Sequence, residues 1–219
     1  MTLHHHLDDA TLVRYASGDL DEAFSVIVAS HLAMCDTCCE AARTAESIGG
    51  ELLENHDAAD MGAGAFERLM QRLDNTEDRI SVETFTRVEP GAQVPSPLQQ
   101  LIGSNLDGVN WTTIAPGVAK HEVPLSSAGN STLFMLRIAP GKSVPEHGHG
   151  GSEMTLVLSG AYRDEMGQFQ RGDISDIDEH VEHHPQVEQG EPCICIVAIE
   201  APTRFKGLLS RMMQPFLRI

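Results

Sequence analysis

One histidine and two cysteines near the N-terminus are spaced as ligands of a single metal ion. His31 precedes Cys35 by four residues, which puts both side chains on one face of a helix, and Cys38 follows just past a turn. One imidazole and two thiolates can share a tetrahedral zinc, but a closed structural site needs a fourth ligand. The three histidines at 4–6 are the best source of that ligand, and among them we select His6. The alternative is an ordinary buried histidine beside two core thiols.

A second group of metal-ligand residue types lies in the C-terminal half. His147, His149 and Glu153 all carry odd numbers, so along a strand, where side chains alternate in direction, they can face the same side. Imidazoles and a carboxylate suit zinc and several other divalent transition metals, and the ligand types alone do not choose among them. The sequence therefore predicts a second metal centre whose metal is open.

Helices must position the first group. Over the first 75 residues, apolar side chains recur at intervals of three and four, with turn signals between the runs. This pattern predicts helices over about 8–16, 20–34 and 36–48, the third beginning at the favourable N-cap residue Asp36. That start places Cys38 in the first helical turn, where the helix dipole favours a thiolate.

A fourth, shorter helix is predicted apart from these three. Apolar side chains fall at i, i+3, i+4 and i+7 and form one stripe, at Phe66, Leu69, Met70 and Leu73. Such a stripe commonly packs on its own helical bundle. The polar segment that separates this helix from the others favours a partner protein instead.

Strands must position the second group. Residues 76–97 are charged and then proline-rich, which is typical of a connector, and we place the domain boundary near residue 85. Beyond it, glycine and proline turns separate short apolar runs at 109–114, 120–125, 131–138, 155–158, 160–165, 173–177 and 193–199. These runs predict an antiparallel barrel or sandwich. We therefore predict two domains, an all-α domain over 1–85 and an all-β domain over 86–219.

Charge and composition narrow the classes of function. The net charge is −17, and residues 1–85 hold 17 acidic and 5 basic side chains. Such a surface repels nucleic acids and anionic membranes and attracts basic proteins, although it also serves solubility alone. No apolar run approaches the roughly 20 residues that span a bilayer, and no secretory signal is present, so we expect a cytoplasmic protein. Clustered cysteines in that reducing compartment indicate metal binding.

Residues 141–160 resemble the first sequence motif of the cupin barrels, G-x5-H-x-H-x3-E-x6-G, at every defined position. This resemblance implies an all-β domain, the double-stranded β-helix barrel of the cupins. It also implies that His147, His149 and Glu153 bind a metal in the barrel interior. A cupin that has lost its metal usually lacks one or more of these ligands.

A second cupin motif, G-x5-P-x-G-x2-H-x3-N, begins at Gly172. Its spacing implies His183 as the fourth ligand, ahead of His180 and His184. The proline, glycine and asparagine of this motif are replaced here, by Asp178, His180 and Val187. These departures concern the turn, whereas the spacing of the ligand is kept.

The pattern His-x3-Cys-x2-Cys with an upstream histidine resembles the zinc-containing domain of anti-sigma factors that bind group-four (extracytoplasmic function) sigma factors. The resemblance covers about residues 1–75. It implies zinc at His6, His31, Cys35 and Cys38. It also implies helices that wedge between the two conserved domains of the sigma factor and so block its binding to polymerase.

Such a module joined to a cupin is similar to the ChrR-type anti-sigma factors, and this resemblance spans nearly the whole chain. It implies a regulator without enzymatic activity. That regulator would hold its sigma factor until oxidative stress, notably singlet oxygen, triggers release, with the cupin needed for the response. The competing function is a metal-dependent cupin dioxygenase with an accessory zinc domain, because cupin barrels serve both classes.

The sequence also bears on DNA binding, on oligomeric state and on the two cysteines near the C-terminus. A DNA-binding zinc finger is disfavoured because the metal-bearing half is acidic, where phosphate contacts need lysine and arginine. A homodimer through the cupin is an open alternative. Cys193 and Cys195 alternate along the last predicted strand and should pack in the core, with redox-sensitive thiols as the alternative function.

Overall fold

Helices form the N-terminal part of the chain, as its periodicity predicts. The structure, a computed structural model, describes residues 3–74, 93–126, 129 and 131–205. Its helices are α1 (Asp9–Ala16), α2 (Glu22–Leu32), α3 (Asp36–Glu54), α4 (Ala65–Asp74) and α5 (Ser96–Ile102). α5 was not predicted: it begins inside the proline-rich connector, with a proline in its first turn, where a missing N–H costs nothing. Within the ranges described, no helix is both long and apolar enough to cross a bilayer.

The start of α3 differs from the prediction by one residue. Cys35, not Asp36, is the N-cap: its backbone is extended, and its Sγ accepts the backbone N–H of Cys38 at 3.4 Å. Asp36 is instead the first helical residue, where a carboxylate faces the positive end of the helix dipole. Cys38 still lies in the first turn, as predicted.

Strands fill the C-terminal part. They are β1 (Thr112–Ala115), β2 (Val118–Glu122), β3 (Thr132–Ile138), β4 (His147–Gly148), β5 (Glu153–Ser159), β6 (Ala161–Asp164), β7 (Gly167–Gln170), β8 (Ile174–Ile177), β9 (Gln186–Val187), β10 (Cys193–Ile199) and β11 (Arg204–Phe205). One sheet has the order β1-β2-β3-β10-β5-β8, and two smaller sheets have the orders β7-β6-β9 and β11-β4. β4, β7, β9 and β11 were not predicted, because strands of two to four residues show too little alternation.

β10 is buried on both faces. Cys195 and Val197 point into the barrel, whereas Ile196 and Ala198 point outwards and join the core that contains Ile27 of α2. Burial on two sides explains why this strand is a continuous apolar run instead of an alternating one. The N-terminal helices α1–α3, called the helical module below, therefore cover the outer face of the large sheet through α2.

The helical module and the barrel share one hydrophobic core. Polar contacts cross the same interface: the Thr11 hydroxyl donates to Asp176 at 2.7 Å, and the Ser131 hydroxyl donates to Asp21 at 2.8 Å. The Ser126 hydroxyl donates to Glu22 at 2.6 Å. The boundary predicted near residue 85 lies outside the described residues. The helical module and the barrel pack against each other through a buried apolar interface.

Candidate metal centres

Three segments bring the N-terminal ligands together. His6 lies in the extended segment before α1, His31 in the last turn of α2, and Cys35 and Cys38 at the start of α3. One ligand atom from each of the four lies within 4.8 Å of all the others. The structure therefore groups the four side chains as the sequence analysis proposed.

The spacing of these atoms suits zinc. Nδ1 of His6 lies 3.3 Å from Sγ of Cys35 and 3.5 Å from Sγ of Cys38. Donor atoms at the corners of a tetrahedron around zinc stand about 3.3–3.8 Å apart, given bonds of about 2.0–2.3 Å. Two imidazoles and two thiolates are also a donor set that closes a structural zinc site.

The barrel fixes the orientation of the His31 ring. Its side chain is completely buried, and its Nδ1–H donates to the backbone carbonyl of Gly172 at 2.9 Å. That bond fixes the tautomer, because a carbonyl only accepts, so Nε2 carries the lone pair. Nε2 has no hydrogen-bond partner among the described residues. Burial lowers the pKa of His31 to about 4, which keeps the imidazole neutral at pH 7.

His5, next to His6 in the chain, contacts the barrel and not the ligand group. The ring of His5 stacks on Phe169 at 3.9 Å between centroids, and its Nε2 lies 3.1 Å from the carbonyl of Gln168. Neither His4, His5 nor Cys39 belongs to the ligand group. The choice of His6 among the three histidines therefore agrees with the geometry.

The second group lies inside the barrel. His147 is on β4, His149 follows it, Glu153 begins β5, and His183 lies between β8 and β9. All four are buried, with 3 to 6% of their surface exposed, and their ligand atoms lie within 4.8 Å of one another. A backbone bridge holds His147 and His183 opposite each other. The group includes His183, and neither His180 nor His184 belongs to it.

The imidazoles of this group are arranged for a cation. The Nδ1–H of His147 donates to the carbonyl of Pro145 at 2.9 Å, and that of His183 to Asp164 at 3.1 Å. Both Nε2 atoms therefore carry lone pairs, yet they lie only 3.0 Å apart. Two lone pairs at this distance repel unless a positive charge lies beside them. Burial lowers the pKa of His147 to about 4, so the ring itself is neutral at pH 7.

An apolar cavity of about 60 Å³ adjoins the second group. Cys193, Cys195 and Tyr162 line it, together with Glu153. Both cysteines are buried, as predicted for core packing. The Tyr162 hydroxyl has no hydrogen-bond partner among the described residues, and burial raises the pKa of this side chain. The sequence analysis did not identify Tyr162 as a residue of this cavity.

Sequence analysis also missed Asp164 and Gly172 as residues that contact the candidate ligands. Asp164 ends β6, and no spacing rule ties it to His183. Gly172 was noticed only as the first residue of a cupin motif, although its carbonyl supports His31 in the other half of the chain. Contacts of this kind depend on tertiary packing, so the sequence carried no local signal for them.

Comparisons with known proteins agree with this arrangement. Residues 99–202 match the family model described as the ChrR Cupin-like domain. Anti-sigma-E factor ChrR of Cereibacter sphaeroides is 41% identical over 219 residues, which is all of both chains. The crystal structure of Rhodobacter sphaeroides SigE in complex with the anti-sigma ChrR contains a chain that is 37% identical, with a TM-score of 0.77. That match covers 90% of this chain and 99% of the other.

These findings confirm the predicted fold class, a helical N-terminal domain followed by a cupin barrel. They also confirm the resemblance stated from the two motifs, since the similarity extends through the helical half as well as the barrel. The chain belongs to the ChrR family of anti-sigma factors.

Proposed function

We propose that this chain is an anti-sigma factor that binds and inhibits an extracytoplasmic function sigma factor. The observation that carries the proposal is its similarity along the whole chain to Anti-sigma-E factor ChrR, together with its structural match to a complex of ChrR with SigE. Both relatives are described as anti-sigma factors, which is the regulatory role that the sequence analysis expected.

An exposed apolar surface supports a protein partner. The stripe of α4 is open to solvent, with Phe66 65% exposed and Leu73 60% exposed. At the end of α3, Leu52 and Leu53 are 66% and 75% exposed. Large apolar side chains exposed along one side of a helix often mark an interaction site. The stripe of α4 and the end of α3 are the places where we expect the sigma factor to bind.

Charge supports a basic partner. Residues 1–85 carry 17 acidic and 5 basic side chains. Sigma factors contact DNA and need basic surfaces for that purpose. Opposite charges speed the encounter of two proteins and disfavour wrong partners. An acidic helical module can thus compete for the same basic surface that DNA uses.

We propose that zinc binds His6, His31, Cys35 and Cys38 and stabilises the helical module. These ligands come from three separate segments, so the metal ties the N-terminal segment to the turn between α2 and α3. Binding free energy at such a site adds to folding free energy. The chain's own residues orient the ligands, chiefly through the bond of His31 to Gly172 and the Cys35 cap of α3.

We propose that the barrel binds zinc or another divalent transition metal at His147, His149, Glu153 and His183 and serves the response to oxidative stress such as singlet oxygen. The buried donors and their fixed tautomers support the metal. The shared core supports a route from the barrel to the helices. The expectations of a homodimer, of a cytoplasmic location and of no contact with membranes or nucleic acid stay predictions.

A capture experiment tests the anti-sigma proposal. The tagged, zinc-loaded full chain is mixed with each sigma factor of the host in turn, and the Cys35→Ser/Cys38→Ser variant serves as the matched control. We expect capture of one extracytoplasmic function sigma factor by the wild type and weaker capture by the variant or after chelation. Capture of none of them would contradict the proposal and favour the dioxygenase alternative, to be pursued with substrate screens on the barrel.

A further inference from the structure

The N-terminal segment that carries His6 is held by one carboxylate of the barrel. Asp173 is completely buried, and its Oδ1 accepts the backbone N–H groups of His4 and His5 at 2.8 and 3.2 Å. Its Oδ2 accepts the backbone N–H of Gln170 at 3.0 Å. Three donated bonds satisfy this buried charge and fix the backbone one residue before His6.

The adjacent barrel residue holds a second ligand. The carbonyl of Gly172 accepts Nδ1–H of His31 at 2.9 Å and so sets both the tautomer and the plane of that ring. Gly172 has a positive φ of 92°, and a Cβ there would stand 2.7 Å from Leu3. The side chain of Leu3, from the segment before α1, thus packs directly against this turn, and the positive φ favours glycine there. Two consecutive barrel residues therefore support two of the four ligands.

A stack of rings continues from this support into the barrel. His5 lies on Phe169 at 3.9 Å between centroids, and Phe169 lies on Tyr162 at 4.8 Å, with interplanar angles of 21° and 9°. Tyr162 lines the cavity beside the barrel metal group. A change in the shape of that cavity would therefore reach the residue next to His6 through direct contacts.

We propose that Gly172 and Asp173 are positioning residues for the N-terminal metal centre, so that the packed barrel sets how tightly the helical module holds its metal. This inference rests on the proposed metal centre at His6, His31, Cys35 and Cys38. It extends the proposed function, because loosening the turn at 172–173 weakens the metal centre without any change to the ligands themselves. Partners that orient metal ligands typically contribute 10- to 100-fold in affinity, by the usual order of magnitude.

The thiolate charge-transfer band of bound cobalt(II) reports on the N-terminal centre alone. Thiolate ligands give bound cobalt a charge-transfer band in the near ultraviolet, and the barrel group contains no thiolate among its ligands. The affinity of this centre is measured in the full chain by titrating cobalt against a competing chelator and following that band. The variants are Asp173→Ala and Asp173→Asn, and circular dichroism checks that each is folded.

Thr11→Val is the matched control. It removes the bond from Thr11 to Asp176, which crosses the same interface but does not touch the segment before α1. We expect Asp173→Ala to weaken cobalt binding by about 10- to 100-fold. Asp173→Asn keeps one carbonyl oxygen and should fall between Asp173→Ala and wild type; it carries the test if the alanine variant does not fold. Thr11→Val should stay within about twofold of wild type.

Wild-type affinity in a folded Asp173 variant would overturn the inference, and so would an equal loss in Thr11→Val, which would indicate general loosening of the interface. Absence of the charge-transfer band in the wild type would instead contradict the proposed metal centre itself. The two failures are therefore distinguishable.

Discussion

Oδ2 of Asp164 lies 3.1 Å from Nδ1 of His183, and both side chains are buried. A carboxylate behind a metal-binding histidine orients the ring and makes its other nitrogen a stronger donor. We predict that Asp164→Asn lowers the affinity of the barrel for zinc by about 10- to 100-fold while the thiolate–cobalt band of the N-terminal centre is unchanged. Isothermal titration of the metal-free chain measures this. Glu191→Gln, at an exposed carboxylate elsewhere in the barrel, is the control; an equal loss in that variant would contradict the assignment.

Removal of one thiol should remove one metal ion. Cys38→Ser is expected to lower the zinc content by one equivalent and to lower the temperature of unfolding, because metal binding contributes folding free energy here. Cys39→Ser should retain both properties, since Cys39 is not in the ligand group. Atomic emission of dialysed protein and thermal unfolding are the measurements. A full zinc complement in Cys38→Ser would show that the group is not the zinc site.

Zinc binding should also release protons. Burial raises the pKa of the Cys38 thiol, so this group is protonated in the metal-free chain at pH 7. A thiol must lose its proton to bind zinc, so the affinity for zinc should increase as pH rises through the neutral range. A pH indicator in a weakly buffered titration with zinc measures the protons released. Affinity that is independent of pH between 6 and 8 would contradict ligation by this thiol.

Apolar residues of α4 should matter for binding and not for stability. Because Phe66 and Leu73 are exposed, alanine at either position should change the free energy of unfolding by less than about 0.5 kcal/mol. Residues that anchor an interface typically cost about 2 kcal/mol or more when truncated, so affinity for the sigma factor should fall by at least about tenfold. Gln71→Ala on the same helix is the control. Surface plasmon resonance distinguishes the variants, and unchanged affinity in both would place the interface elsewhere.

Asp176 should make stability depend on pH. Burial raises its pKa, and the hydrogen bond from Thr11 opposes that rise only in part. A raised pKa in the folded state contributes stability that is full below the ordinary value of about 3.9 and is lost as pH rises through the raised value. Asparagine mimics the protonated form at every pH. The unfolding temperature of Asp176→Asn relative to wild type should therefore increase from pH 4 upwards, with the exposed Asp60→Asn as the control for net charge. A difference that does not change with pH would contradict this.

Local spacing explains what the sequence predicted well. His147, His149 and Glu153, like His31 and Cys35, lie within a few residues of one another, so each set stays close in the fold. The predicted local geometry was wrong, however: His149 lies in the loop between β4 and β5, and α2 ends at Leu32, before Cys35, which is the N-cap of α3. His6 and His183 come from distant segments. His6 was selected as the nearest source of a fourth ligand, and His183 was indicated by its spacing in the second cupin motif. Both lie in the groups that the structure brings together.

Packing between the two halves was not predicted. The sequence of α2 does not indicate which face packs against a sheet. Its apolar residues, which include Ala23, Phe24, Ile27 and Val28, cover a broad surface. The continuous apolar run of β10 was the available signal, since it indicates a strand that is buried on both sides. The support of His31 by Gly172 follows from that packing and was therefore also beyond the sequence.

Transcription in vitro tests the central claim most directly. RNA polymerase, the captured sigma factor and a promoter that depends on it are incubated with increasing amounts of the zinc-loaded full chain. We predict that transcripts disappear as the chain reaches one equivalent of the sigma factor and return when a chelator is added. Undiminished transcription at a large excess of the zinc-loaded chain would contradict the anti-sigma function.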